Sequence, residues 1–159
     1  MNTNRLSAQD TTFIFGEDPR IPLHVGGLGV MEAGPLREEG GDDGAIDIDR
    51  IRREIASRLH LVPIFRQKLV EVPFDQGRPV WADDAGFRIE NHVHVCAVPR
   101  PGGRRELLEL MGRIQQTQLD RSRPLWEIHF VDGLAGPDEV GLIYKIHHSM
   151  IDGTAGMGL

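Results

Sequence analysis

The sequence predicts a mixed α/β (α+β) domain with more strands than helices. Three observations predict it. Two stretches, 47–59 and 104–119, place apolar residues at helical spacing. Between and after them lie short runs rich in Val, Ile, Trp and Phe, each bounded by Gly, Pro or Asp. The composition, 40% hydrophobic and 26% charged, is that of a chain that buries a core.

The first element is Pro22–Met31, an apolar run interrupted by glycines, which predicts a strand whose backbone comes close to another group. Residues 34–44, rich in Gly, Glu and Asp, predict a loop. A helix follows, capped by Asp47 or Asp49, because a short carboxylate accepts from unpaired N–H groups. Its apolar face is Ile48, Ile51, Ile55 and Leu59; Arg52, Arg53 and Arg58 fall elsewhere on the cylinder, and Pro63 ends the pattern. Leu69–Val72, Pro79–Trp81 and Phe87–Ile89 predict extended segments, with Asp83 and Asp84 at a turn between the last two. His92–Cys96 predicts another strand, and Pro99–Gly103 breaks the chain.

The second helix runs from about Arg104 to Leu119, with Leu107, Leu108, Met111, Ile114 and Gln118 or Leu119 on its apolar face. Two strands close the chain, Leu125–Val131 and Val140–Ile146, joined by a hairpin loop over 132–139. The last is apolar on both faces, which predicts a central strand. No internal repeat or low-complexity tract is present.

The 159 residues suit one domain or part of a larger one. A formal net charge of -6 argues against a nucleic-acid partner held by bulk electrostatics. Arginines cluster locally at Arg50, Arg52 and Arg53 and at Arg104 and Arg105; they read as solvated helix faces, or as a patch for anionic headgroups or coenzyme A phosphates. The one cysteine, Cys96, sits in an apolar run and suits a reducing cytoplasm. Met1–Asp10 lacks the apolar core of a signal peptide, and no run reaches the ~20 apolar residues of a membrane span. Any work on lipid would be done from a membrane surface or from solution.

Chemistry concentrates at 147–153. His147, His148, Ser149, Met150, Ile151, Asp152 and Gly153 directly follow the predicted central strand, a rigid place for a reacting group. Imidazole suits proton transfer near neutral pH. Asp152 lies close enough to orient His148 or to structure the turn, and Gly153 permits close backbone approach. On residue chemistry alone, a general base and a merely hydrogen-bonded histidine pair both fit.

The heptad matches the H-H-x-x-x-D-G motif of CoA-dependent acyltransferases and condensation domains. Ser122–Glu127 resembles the R-P-L-W-E segment of the bacterial wax ester synthase/diacylglycerol acyltransferase family. Leu23–Gly26 resembles its M-H-V-G element with Leu in place of Met. Val62–Gln67 resembles V-P-x-F-R-Q, Gly77–Trp81 also matches, and Leu6–Asp10 is similar to its L-S-x-x-D start. The pieces occur in order along almost the whole chain.

The resemblance implies a chloramphenicol acetyltransferase-like fold, with this chain as the N-terminal half: a mixed sheet with flanking helices, cut just after the motif. It implies transfer of a fatty acyl group from acyl-CoA, as co-substrate, to diacylglycerol or a long-chain alcohol, giving triacylglycerol or wax ester, with no bound cofactor. His148 would be the general base and His147 a supporting residue. Asp152 would be mainly structural, pairing with an arginine. Pro124, Leu125, Trp126 and Glu127 would shape the sheet near the substrate channel or pack the core. A C-terminal half would supply the other channel wall, and the expected location is cytoplasmic, peripheral at the inner membrane or lipid bodies. The alternative is a non-catalytic half-domain that binds acyl chains, a membrane surface or a complementary half; an amide-forming condensation enzyme is a weaker one.

Other sites are poorer. His92 and His94, at alternate positions, would share one strand face, but no further ligand set of recognisable spacing joins them. Gly153–Gly158 lacks the Lys-Ser/Thr of a phosphate-binding loop. Ser149 is not in a G-x-S-x-G elbow.

Overall fold

The computed structural model describes residues 4–38, 44–73, 77–136 and 138–151. In chain order the elements are β1 (Asn4–Arg5), α1 (Ala8–Gly16), β2 (His24–Glu32), α2 (Ile48–Arg58), β3 (Gln67–Val70), β4 (Val80–Asp83), β5 (Val93–Ala97), α3 (Arg104–Gln116), β6 (Trp126–Asp132), β7 (Glu139–His147) and α4 (His148–Ile151). The mixed α/β class predicted from the sequence is the class observed.

The main sheet has the order β2-β7-β6-β5. β7 pairs antiparallel with both β2 and β6, so it is internal, as its two-sided apolar pattern predicts. β6 and β7 form the expected hairpin. β5 pairs parallel with β6, which requires a crossover, and α3 supplies it. A small antiparallel sheet, β1-β4-β3, sits beside the main one.

Strand alternation sorts the main sheet into two faces. Register places Trp126 beside Ile146, Phe130 beside Leu142 and Val93 beside Ile128 on one face. These pack into the larger core with Ile51 of α2, Leu59 just after it, Leu6, Ile14 and Trp81. The opposite face carries Val131 and Ile143, which pack against Leu107, Met111 and Ile114 of α3.

Asp47 caps α2, accepting from the Arg50 amide at 2.9 Å, one of the two caps the sequence offers. Arg52 ties the helix to the sheet, donating from Nε and Nη2 to the Val93 carbonyl at 3.1 and 2.9 Å. Arg50 is engaged by Asp47 and the Pro35 carbonyl, and Arg105 pairs with Glu109. These arginines therefore hold local structure. Gly26 and Gly27 of β2 meet the expected close approach, whereas Gly29 has open space. A Cβ on Gly27 would lie 2.5 Å from the Tyr144 ring across the ladder.

Several elements differ from the sequence reading. α1 was not anticipated: its residues AQDTTFIFG bury only Asp10 and Ile14, so no apolar periodicity announces it. Ser7 caps it, accepting from the Asp10 amide at 3.0 Å. The strand expected at Leu69–Val72 lies two residues earlier, at Gln67–Val70. Phe87–Ile89 is not a strand; Ile89–Asn91 forms a 3-10 turn and Phe87 stacks on His92 at 5.1 Å. His92 ends that turn outside β5, so it does not share a face with His94. The second helix stops at Gln116, and Leu108 is exposed.

Trp126 joins these parts. It is 1% exposed, its Nε1–H donates to the Phe65 carbonyl at 2.8 Å, and its ring stacks on His92 at 4.6 Å. Trp126→Ala is expected to cost about 3–5 kcal/mol in urea unfolding, through lost burial and a residual cavity. Trp126→Phe, which keeps most of the volume, is expected to cost less.

Candidate active site

β7 ends at His147 and α4 starts at His148, so the backbone changes from strand to helix between the two histidines. Their amides are pinned on opposite sides. His147 N–H donates to the Leu125 carbonyl and His148 N–H to the Leu23 carbonyl, each at 2.9 Å. The starts of β6 and β2 therefore fix where both rings begin.

His147 points inward and is 1% exposed. Its Nδ1 accepts the Ser149 backbone N–H at 3.2 Å and lies 2.7 Å from Ser149 Oγ. An Nδ1 that accepts carries no proton, so neutral His147 holds its proton on Nε2. That nitrogen faces Glu17 Oε1 at 3.7 Å, too long for a hydrogen bond. Burial pushes the His147 imidazole down to about 4, against the opposing pull of Glu17. His147 is thus a neutral, internally anchored residue, in keeping with a supporting role.

His148 is half-buried. Its ring stacks on Phe13 of α1, with centroids 4.2 Å apart and planes 20° from parallel. Nδ1 is buried and has no hydrogen-bond partner among the described residues. Asp152 and Gly153 lie outside the described residues.

Three residues of this region escaped the sequence reading: Phe13, Glu17 and Arg121. The Glu17 carboxylate is 1% exposed. Oε1 accepts the Leu23 amide at 3.2 Å, and Oε2 accepts Arg121 Nη2 at 2.9 Å and Nε at 3.3 Å. Arg121 also donates to the Ile14 carbonyl at 2.5 Å. The pair clamps the end of α1, which carries Phe13, to the entry of β2 and the segment before β6. Arg121 is 38% exposed, so only the carboxylate is buried, and several hydrogen bonds satisfy it there. Residues 104 apart in sequence give no local signal of this.

Pro124, Leu125 and Trp126 are buried. Their nearest link to the histidines is the Leu125 carbonyl that receives the His147 amide. Glu127 lies on the other face of β6, beside Lys145. The Lys145 ammonium is buried and has three acceptors: the Ile114 and Thr117 carbonyls at 3.3 and 3.0 Å and Glu127 Oε2 at 3.3 Å. Burial works to raise the Glu127 carboxyl, but the His129 hydrogen bond and the Lys145 charge override it and hold it below the ordinary value.

A mixed sheet with helices on both faces recurs in other solved structures. The starter condensation domain of rhizomide synthetase shares the fold alone: TM-score 0.65 at 13% identity, covering 94% of this chain and 34% of that one. At that identity the likeness is one of fold. A variant of that domain has been solved in complex with C8-CoA. The class is thus the chloramphenicol acetyltransferase-like fold of acyltransferases and condensation domains.

Within this class, the profile of the wax ester synthase/diacylglycerol acyltransferase catalytic domain matches residues 6–159. The chain belongs to that family. The wax ester synthase/diacylglycerol acyltransferase from Marinobacter aquaeolei VT8 superposes with TM-score 0.75 at 31% identity, over 97% of this chain and 36% of that one. A relative from Mycobacterium tuberculosis strain H37Rv, named as a diacylglycerol O-acyltransferase, is 39% identical over 155 residues. That match covers 98% of this chain and 30% of the relative, so the chain spans less than a third of that relative's length.

The depressed His147 predicts an acid-labile component of stability. Above pH 6.5 the ring is neutral folded and unfolded, and contributes nothing. As pH falls from 6.5 toward about 4, the unfolded chain takes up a proton that folded His147 refuses, so the folded state loses stability. Melting temperatures recorded between pH 7 and 4 should fall for the natural protein. His147→Gln, which has no such proton to gain, should fall by less over the same window.

Proposed function

We propose that this chain is the motif-bearing part of an O-acyltransferase that moves a fatty acyl group from acyl-CoA to the hydroxyl of diacylglycerol or of a long-chain alcohol, with His148 as general base. The observation that carries the reading is the state of the His148 ring. Nδ1 is buried with no partner among the described residues and one ring face lies on Phe13, which favours Nε2 as the nitrogen that meets a substrate. Family membership supports the reaction class, and the C8-CoA complex of a domain of the same fold supports acyl-CoA as donor.

In this mechanism Nε2 takes the proton from the acceptor hydroxyl as its oxygen attacks the thioester carbonyl. The C–O bond forms, the C–S bond breaks, and the proton passes from Nε2 to the departing sulfur, releasing CoA thiol. Direct transfer suits a thiolate leaving group, whose parent acid has a pKa of ~8.5. Phe13 keeps the imidazole plane fixed, and His147, neutral, adds no competing charge beside the base. Asp152 takes the mainly structural role that the motif implies.

The whole protein would complete the channel with a second half and work at a membrane or lipid-body surface from the cytoplasm. No helix among the described residues is long and apolar enough to cross a membrane. Two measurements on the whole protein test the reading. With palmitoyl-CoA and hexadecanol or dioleoylglycerol, His148→Ala should slow CoA release by about 100- to 10,000-fold; unchanged turnover removes His148 from the role. Asp152→Ala should lower the melting temperature along with activity. Native melting with lost turnover would instead make Asp152 an orienting partner of the base.

A further inference from the structure

We propose that His94, Glu127 and His129 form a binding site for one divalent transition-metal ion of the Zn2+ class, which staples β5 to β6. The proposal is independent of the acyl-transfer chemistry. The break at His92 decides it. Because His92 lies outside β5 and stacks on Trp126 on the larger-core face, His94 loses the partner that alternation suggests and gains another across the ladder.

His94 pairs in register with His129 on the neighbouring parallel strand, and their rings lie 4.8 Å apart. Glu127, two residues before His129 on β6, points to the same face. One ligand atom from each residue lies within 4.8 Å of the other two. Ligands about a tetrahedral ion at ~2.1 Å are ~3.4 Å apart, so closure asks for shifts of about 1 Å in partly exposed side chains. His129 and Glu127 side chains are 14% and 22% exposed, which gives an ion a path in. Burial and the neighbouring His129 hold His94 below its usual range, in the neutral form that binds metals.

Lys145 sets the character of the site. Its ammonium and the His129 ring both contact Glu127 through Oε2, so an ion competes with these contacts for the carboxylate. The ammonium fixes the carboxylate, as outer-shell partners do, while its charge weakens affinity relative to an isolated pair of histidines with a carboxylate. Three protein ligands of nitrogen and oxygen type favour Zn2+, Co2+ or Ni2+ over Mg2+ or Ca2+. They leave a fourth position for water.

The test uses the whole untagged protein, stripped with chelator and titrated with Co2+ and Zn2+. The expected result is a visible Co2+ d–d band assigned to this site and a Zn2+-dependent rise in melting temperature. His94→Ala and His129→Ala should each weaken the Co2+ signal at least ~10-fold, while His60→Ala, at an exposed histidine, leaves it unchanged. A measurement on the unmutated protein guards against misfolded variants: Zn2+ should shield His94 and His129, but not His60, from acylation by diethylpyrocarbonate. Absence of the band, a band that survives in His129→Ala, or equal acylation with and without Zn2+ would each overturn the site.

Discussion

Strand β7 carries nine residues through the middle of the sheet, and every buried backbone N–H or C=O left unpaired there would cost about 1–3 kcal/mol. That demand organises the molecule. β2 and β6 pair with its two edges, and the α2 and α3 regions cover the two faces of the sheet. The strand cannot move without breaking both ladders, so its last residue is among the best-fixed points in the chain. The histidine pair hangs from that point.

The change from strand to helix at His147 and His148 then separates two identical side chains into different roles. His147 turns inward, where Ser149 sets its tautomer and burial keeps it neutral. His148 starts the helix and lies against Phe13. Its orientation therefore depends on α1, a helix with little amphipathic character of its own. The Glu17–Arg121 pair compensates, holding the end of α1 to the entry of β2 and to the segment before β6. The half-exposed arginine adds little net stability, but the buried carboxylate, once satisfied, admits few alternative packings.

The same trade recurs on the α3 face. Lys145 projects into the region where α3 ends, and its ammonium meets the carbonyls of Ile114 and Thr117 there. A cation at a helix C-terminus is favoured by the helix dipole, and Glu127 balances the charge. The glutamate of the R-P-L-W-E segment thus serves the sheet face under α3, while its tryptophan serves the larger core, because neighbours on a strand face opposite ways.

Periodicity and turn chemistry determined α2, α3, the β6–β7 hairpin and the central place of β7, since each depends on residues a few positions apart. The H-H-x-x-x-D-G heptad and the short segments in order with it likewise pointed to the family, because each is contiguous in the chain. Helix α1, the two-residue shift of β3 and the loss of Phe87–Ile89 as a strand were not legible, for short polar segments take their conformation from what they pack against. The tertiary structure alone decided that His92 and His94 part company, that His94 meets His129, and that Glu17 finds Arg121 from 104 residues away. Those pairings follow from strand register and chain crossing, and a one-residue change in register would send each side chain to the opposite face.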